Sequence, residues 1–295
     1  MSLKMGRSCG KAYVTVTTEF GLPREIKLDQ LLDFSGKVAL VTGGSRGLGQ
    51  AIALALAARG ADVVVTSRKA DACKEVANKI SAMGAQALAY GCHVGQWDAL
   101  DGLVEAAYQR FGKVDILINN AGISQRSLII DTDFEVYKRL IEINYLGHVA
   151  ISNAILPYFI KQGGGSFAII SSVMGKYSSP YRSGYAAAKH ALHGFFDTVR
   201  MEHQNDNIFV TIICPGFVNT PISKNSLTGD GTPLGQYDRA NARGLSAELS
   251  AKKIINAISK KKWEISFGGK ERMGVYLKRI SNKLLHYIVK KSIVR

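Results

Sequence analysis

Seven short runs of the chain read as strands, and several are apolar from end to end rather than alternating. They are KVALVT (37–42), DVVVT (62–66), QALAY (86–90), VDILIN (114–119), SFAIIS (166–171), IFVTII (208–213) and WEISF (263–267). A strand apolar on both faces has to be covered on both, which is the situation inside a parallel sheet. Helical patterns fill the intervals: Leu48–Arg59, Ala70–Met83, Asp98–Phe111, Phe134–Lys161, Gly184–Gln204 and Ala247–Lys261. Strand–helix repetition implies right-handed crossovers and a doubly wound arrangement. A chain of 295 residues is long enough for one substantial core. The expected fold class is therefore α/β: one doubly wound domain over 36–270, a seven-stranded parallel sheet flanked by helices. An N-terminal extension (1–35) precedes it and a basic amphipathic helix (271–295) follows. Ser223–Arg243, rich in Gly, Ser, Asn and Asp, is the one long irregular stretch, and such loops often act as lids.

Composition excludes several classes. The longest apolar runs are far too short to cross a bilayer, and residues 1–35 show no secretory h-region. Cys9, Cys73, Cys92 and Cys214 are scattered, without CxxC spacing or clustered His. Free thiols in a reducing, cytoplasmic setting and no metal site are expected. The net charge is +15, but it is local. Residues 251–295 carry thirteen Lys and Arg against Glu264 and Glu271, while the rest is nearly balanced.

The first strand runs into TGGSRGLG: Thr42, Gly43, Gly44, Ser45, Arg46, Gly47, Leu48, Gly49. Glycines between a strand and a helix permit a tight turn, close backbone approach to a pyrophosphate, and a helix N-terminus aimed at the anion. A dinucleotide-binding Rossmann domain is the expectation. An NAD enzyme normally ends its second strand with an acid on the ribose 2′-hydroxyl, whereas NADP needs a cation there. Here Ser67 holds the acid's place and Arg68 follows, so a 2′-phosphate meets no repulsion and a guanidinium fork.

The TG-x3-G-x-G spacing resembles the short-chain dehydrogenase/reductase superfamily in its short form, and the resemblance covers roughly 36–270. NNAG (Asn119, Asn120, Ala121, Gly122) follows the fourth strand, as in that family. PGFVNT follows the sixth, so the resemblance implies that Pro215, Gly216, Val218 and Thr220 meet the nicotinamide end. It also implies that Arg46 is a second cation beside an NADP 2′-phosphate. His93 stands where the family usually has Asp near the adenine, with Val94 keeping a backbone contact. The second half, from GKYSSPYRSGYAAAKHALHGFFDTVRMEH to NSLTGDGTPLGQYD, resembles the member-seven-B type of dehydrogenase/reductase. The first half reads more like general bacterial members.

In SSVMGKYSSPYRSGYAAAK, Tyr185 has a lysine four residues on, Lys189, and in a helix these share one face. The resemblance makes this pair catalytic. It selects Ser172 as the residue holding the carbonyl oxygen, leaves Ser171 as a structural neighbour, and matches Asn144 to a position anchoring a proton-relay water. A tyrosine with a pKa near 10 is a sluggish acid; the ammonium of Lys189 and an oxidised nicotinamide are expected to lower it. Lys189 and Tyr185 also count among the implied cofactor contacts. Tyr177 and Tyr181 become loop residues beside the pocket.

In the tail, Met273, Leu277, Ile280, Leu284 and Ile288 fall at helical spacing, with Lys278, Arg279, Lys283, Lys290 and Lys291 mostly opposite. Two readings stand: a helix docked on the body or a partner subunit, and an interfacial helix drawn to anionic lipid. Nucleic acid is not expected, because no recognition motif accompanies the charge. The function expected is an NADP(H)-dependent oxidoreductase interconverting a carbonyl and an alcohol on a small hydrophobic molecule, lipid-, steroid- or retinoid-like. A homodimer or homotetramer through the helices bearing Asn144 and Tyr185 is the implied assembly, in the cytoplasm or peripheral to a membrane. The alternative is a non-catalytic NADP-binding sensor or membrane-associated scaffold.

Overall fold

The structure, a computed structural model, describes residues 3–8, 11–17, 23–27, 32–236 and 238–291. Its centre is a seven-stranded parallel sheet. The strands are β4 (Val38–Thr42), β5 (Asp62–Ser67), β6 (Ala87–Gly91), β7 (Ile116–Asn119), β8 (Gly165–Ile170), β9 (Ile208–Pro215) and β12 (Glu264–Phe267), ordered β12-β9-β8-β7-β4-β5-β6. Each lies within two residues of a run expected from sequence.

The continuous apolarity of the strands is explained by their two covered faces. On one face Ala39 and Val41 of β4 pack with Ile52 and Leu56 of α1 (Gly47–Ala57), Val76 and Ile80 of α2 (Ala70–Ser81), and Ile254 of α8 (Ala247–Ser259). On the other, Val38 and Leu40 meet Leu103 of α3 (Leu100–Phe111), Phe159 of α5 (Gly147–Lys161) and Phe196 of α6 (Ser183–Glu202). Successive residues of one strand thus enter opposite cores.

Three sequence expectations are corrected. The helix over 134–161 is two helices, α4 (Phe134–Ile141) and α5, joined by a π-helical turn at Glu142–Leu146. An inserted turn of this kind shifts the register of the succeeding helix and is frequent at functional sites; this one carries Asn144. The single tail helix is also two, α9 (Met273–Ile280) and α10 (Asn282–Lys291), split where Ser281 is extended (φ −154°, ψ 111°). Ser281 Oγ accepts a hydrogen bond from Leu284 N (3.2 Å), restarting the helix as an N-cap. The expected apolar stripe is therefore divided, with Leu277 alone of it packed into the inner cluster. Met273, Ile280, Leu284 and Ile288 are exposed, and the tail packs through Leu285, with Val275, Leu277 and Val289, onto Val173, Met174 and Tyr177.

Third, the expected irregular stretch is tied down. β10 (Val218–Asn219) pairs in parallel with β11 (Leu245–Ser246) across its base, Leu227 bridges Gln125 and Pro233, and Arg239–Ala242 forms a short helix, α7. The N-terminal extension holds an antiparallel meander, β1 (Leu3–Ser8), β2 (Lys11–Thr17) and β3 (Pro23–Lys27). The alternating, β-branched KAYVTVT carries its middle strand. Cys9, and the end of the tail from 292 to Arg295, lie outside the described residues.

Strand order reverses between β4 and β7, and the crevice opens there. Thr42 stitches its floor: Oγ1 donates to Ile118 O (3.1 Å) and accepts from Asn120 N (3.0 Å) and Ala121 N (3.1 Å). Asn120 Nδ2 donates back to Thr42 O (2.9 Å). Thr42→Val keeps the shape but leaves two main-chain N–H groups without their acceptor. It is expected to cost about 2–4 kcal/mol, read as a lowered denaturant midpoint with unchanged slope; a loss under about 0.5 kcal/mol would remove Thr42 as the stitch.

Candidate active site

A cavity of about 1150 Å3 runs along the C-terminal ends of the strands. Every residue singled out from sequence for cofactor or catalysis lines it. At one end are Gly43, Ser45, Arg46, Gly47, Leu48 and Gly49. Gly49 has to be glycine, because a Cβ there would sit 2.3 Å from Gly43 O. Gly43 holds φ +63° with Ala121 Cα 2.9 Å from where its Cβ would be. The N-terminus of α1 has no side-chain cap and no acid in its first turn, so its N–H groups face the cavity unneutralised, as an anion requires.

Ser67 and Arg68 end β5, and His93 and Val94 follow β6. Arg46 and Arg68 are exposed at the cavity, and neither has an acidic partner among the described residues. Where the family's Asp would stand, His93 Nδ1 accepts from Gly95 N (3.0 Å); burial and then Arg68 and Arg139 lower its pKa. Asn120, Ala121 and Gly122 form the wall after β7, and Pro215, Gly216, Val218 and Thr220 the wall after β9.

At the other end Ser172 follows β8, and its Oγ accepts from Met174 N (3.1 Å). Lys189 is buried and donates from Nζ to Ile170 O (2.7 Å), with Nζ 5.8 Å from the centre of the Tyr185 ring. Asn144 is locked by a two-way bond to one residue, Oδ1 accepting from Ile123 N (2.9 Å) and Nδ2 donating to Ile123 O (3.0 Å). Ser171 Oγ donates to Lys189 O (3.2 Å) and lies 3.0 Å from His193 Nε2, bracing α6. Tyr177 is buried and donates to Glu271 O (2.7 Å), anchoring the start of the tail.

Burial pushes the Tyr185 phenol up, and the groups opposing that are a hydrogen bond with Ser172 and the cations Arg182 and Arg126. Burial likewise holds the pKa of Lys189 down to about 7.

Sequence reasoning missed part of the wall. Arg126, Arg182, Phe217 and Glu271 line the cavity, and Gly274, Leu277, Leu285 and Val289 of the tail roof it. Arg182 lies three residues before Tyr185 and was open to notice; nothing in the spacing of the tail or of Asp238 announces proximity.

His148, one turn beyond Asn144, is fully buried with Nε2 2.7 Å from Ala121 O. Its Nδ1 has no partner among the described residues. Burial, and then Lys189, push its pKa down to about 3, and burial pushes that of His193 to about 4. Below about pH 6.5 the unfolded chain binds protons that these folded imidazoles refuse. Their contribution is thus complete above about pH 6.5 and lost as pH falls toward about 3. Thermal stability is expected to decline over that window, by at most about 1.4 kcal/mol per pH unit per histidine. His148→Gln should flatten the decline; an unchanged slope would show that His148 protonates freely in the fold.

A family model described as short chain dehydrogenase matches residues 37–230. Dehydrogenase/reductase SDR family member 7B from Bos taurus is 39% identical over 251 residues, covering 83% of this chain and 77% of that protein. The dehydrogenase/reductase SDR family protein 7-like of Drosophila melanogaster is 34% identical over 266 residues, covering 88% and 81%. These matches run through both halves of the chain. Among solved structures, a 7α-hydroxysteroid dehydrogenase complexed with NADH and 7-oxo glycochenodeoxycholic acid superposes with a TM-score of 0.72, at 26% identity, over 82% of this chain and 96% of that one. A putative short-chain alcohol dehydrogenase from Sinorhizobium meliloti gives 0.63 at 33% identity, over 65% and 77%. With its sheet order, its glycine turn and the cavity joining them to Tyr185 and Lys189, the chain belongs to the short-chain dehydrogenase/reductase family of oxidoreductases.

Proposed function

We propose that the protein is an NADP(H)-dependent oxidoreductase interconverting a carbonyl and an alcohol on a small hydrophobic molecule. The observation that carries this is one continuous cavity holding the open N-terminus of α1 at one end and the Ser172–Tyr185–Lys189 group at the other. A nicotinamide dinucleotide supplies or accepts the hydride. The chain's residues do the rest. The N–H groups of Gly47, Leu48 and Gly49 receive the pyrophosphate, and Arg46 and Arg68 receive a 2′-phosphate that Ser67 does not repel. Ser172 orients the substrate oxygen, Tyr185 gives it a proton or removes one, and Lys189 holds the ribose hydroxyls. Asn144, clamped to Ile123, keeps the route for proton replacement in place.

An apolar substrate is favoured by the side chains above Tyr185, which include Met174, Leu227, Leu277 and Leu285. The related dehydrogenase with an oxo bile acid in its site is consistent with that class. Self-assembly through α5 and α6 is part of the same reading. The tail supports peripheral membrane attachment as well. Tyr276, Ile280, Leu284 and Tyr287 are exposed beside Lys278, Arg279 and Lys283, a mixture suited to an anionic interface. Among the described residues no helix is long and apolar enough to cross a membrane. A non-catalytic sensor would need no buried phenol–lysine pair.

Tyr185→Phe is expected to lower kcat by about 100- to 10,000-fold with unchanged cofactor affinity, in NADPH oxidation against a panel of apolar ketones. In the same assay Arg68→Glu should weaken NADPH by about tenfold or more without weakening NADH. Full activity of the phenylalanine variant, or equal effects on both cofactors, would refute the respective assignment.

The parent chain is expected to co-sediment with phosphatidylserine vesicles at low salt and not with phosphatidylcholine alone. Ile280→Asp combined with Leu284→Asp, both at exposed positions, should abolish this; equal pelleting of both forms would exclude the tail as the attachment.

A further inference from the structure

We infer that Arg126 and Arg182 form a receptor for an anionic group on the substrate, so that the preferred carbonyl compound is an amphipathic acid with a carboxylate or phosphate near the reacting carbon. This rests on the oxidoreductase reading only for the identity of the reacting carbon.

The two arginine side chains are 8% and 7% exposed, and both line the cavity. They converge on one oxygen of one acid: Arg126 Nη2 lies 3.0 Å and Arg182 Nη2 3.5 Å from Asp238 Oδ2, itself 2% exposed. Two guanidinium groups thus share a single carboxylate, leaving one buried positive charge in excess. Glu271, an acid that does line the cavity wall, is committed elsewhere, with Oε1 accepting from Phe217 N (2.9 Å) and Gly269 N (2.9 Å).

Asp238 lies on the long loop after β10, while Arg126 follows β7 and Arg182 precedes α6. A latch holding that loop over the cavity needs one of these arginines, and Arg126 fills that role. Its Nη1 is fixed by Ser124 Oγ (3.0 Å) and Gln125 O (2.8 Å) while Nη2 takes the shorter bond to Asp238. The latch does not account for Arg182. That side chain has one hydrogen bond among the described residues, the long one to Asp238, and its guanidinium lies 5.5 Å from the centre of the Phe217 ring. Burial and then the neighbouring Arg126 push its pKa down to about 10, with Asp238 opposing them. A planar fork whose remaining donors have no partner among the described residues matches the paired oxygens of a carboxylate or phosphate.

Arg182 stands three residues before Tyr185, and its charge reaches the phenol. An anion seated there would fix the distance from the charged group to the carbonyl, while the apolar remainder lies under Leu277 and Leu285. The arrangement orients a long, otherwise featureless molecule by its one charged end.

The test compares three ketones of equal chain length with the parent enzyme and cofactor: a keto acid, its methyl ester and a keto-alkyl phosphate. The kcat/KM of at least one anion is expected to exceed that of the ester by about tenfold or more, and which anion leads identifies the group received. Arg182→Gln should collapse that ratio to within about twofold, whatever it does to the absolute rates, and Arg182→Lys should keep part of it. Thermal stabilisation of the cofactor-loaded parent by dodecanoate or dodecyl phosphate, against dodecanol, reads the same preference without turnover or a variant. Equal handling of ester and both anions, or an unchanged ratio in Arg182→Gln, overturns the inference while ester turnover keeps the oxidoreductase reading. Anion binding without turnover of any ketone would overturn that reading and leave the receptor standing.

Discussion

An ammonium group buried at the end of β8, held by Ile170 O and by no carboxylate among the described residues, is the constraint around which the site is arranged. Removing such a charge from water is costly unless it is paired. The chain meets the cost in two ways. Lys189 lowers its own pKa toward neutrality, and its surroundings lower the penalty with dipoles, the nearest being that main-chain carbonyl. A lysine whose pKa burial lowers in this way, beside a phenol in the same cavity, is the kind of perturbed pair that clusters at functional sites.

The same burial shapes what surrounds it. Tyr185 alone would be a weaker acid than in water, and a hydrogen bond with Ser172 and the charges of Arg182 and Arg126 oppose that. His148 is kept neutral by the same low-dielectric interior and by Lys189, so the region behind the site carries no competing cation. Asn144 sits between these groups on a π-helical turn, its amide satisfied at both ends by Ile123.

Above the site, the tail is a roof rather than a free appendage. Tyr177 and Glu271 anchor its beginning, the first through Glu271 O and the second through Phe217 N and Gly269 N. Gly274 lies against the Tyr177 ring, where a Cβ would come within 2.6 Å of Cζ. The inner face of α9 and α10 closes the cavity, and the outer face presents apolar and basic side chains together. One element thereby faces both the cavity and the surroundings.

Much of this was legible in the chain itself, because it depends on neighbours in sequence. The period of 2 or 3.6 and the wholly apolar strands determine a parallel sheet covered on both faces. The spacing of Gly43, Gly47 and Gly49 determines a turn into a helix, and Tyr185 with Lys189 is set on one face by the helical repeat. The tertiary structure decided what no local spacing carries. A single extended residue, Ser281, rotates the second half of the tail and turns Leu284 outward and Leu285 inward. Arg126 and Asp238, 112 residues apart, and Arg182 and Asp238, 56 apart, meet only because the folded sheet brings their loops together. Periodicity reports which residues share a surface; which distant charges come to share an oxygen is settled by packing alone.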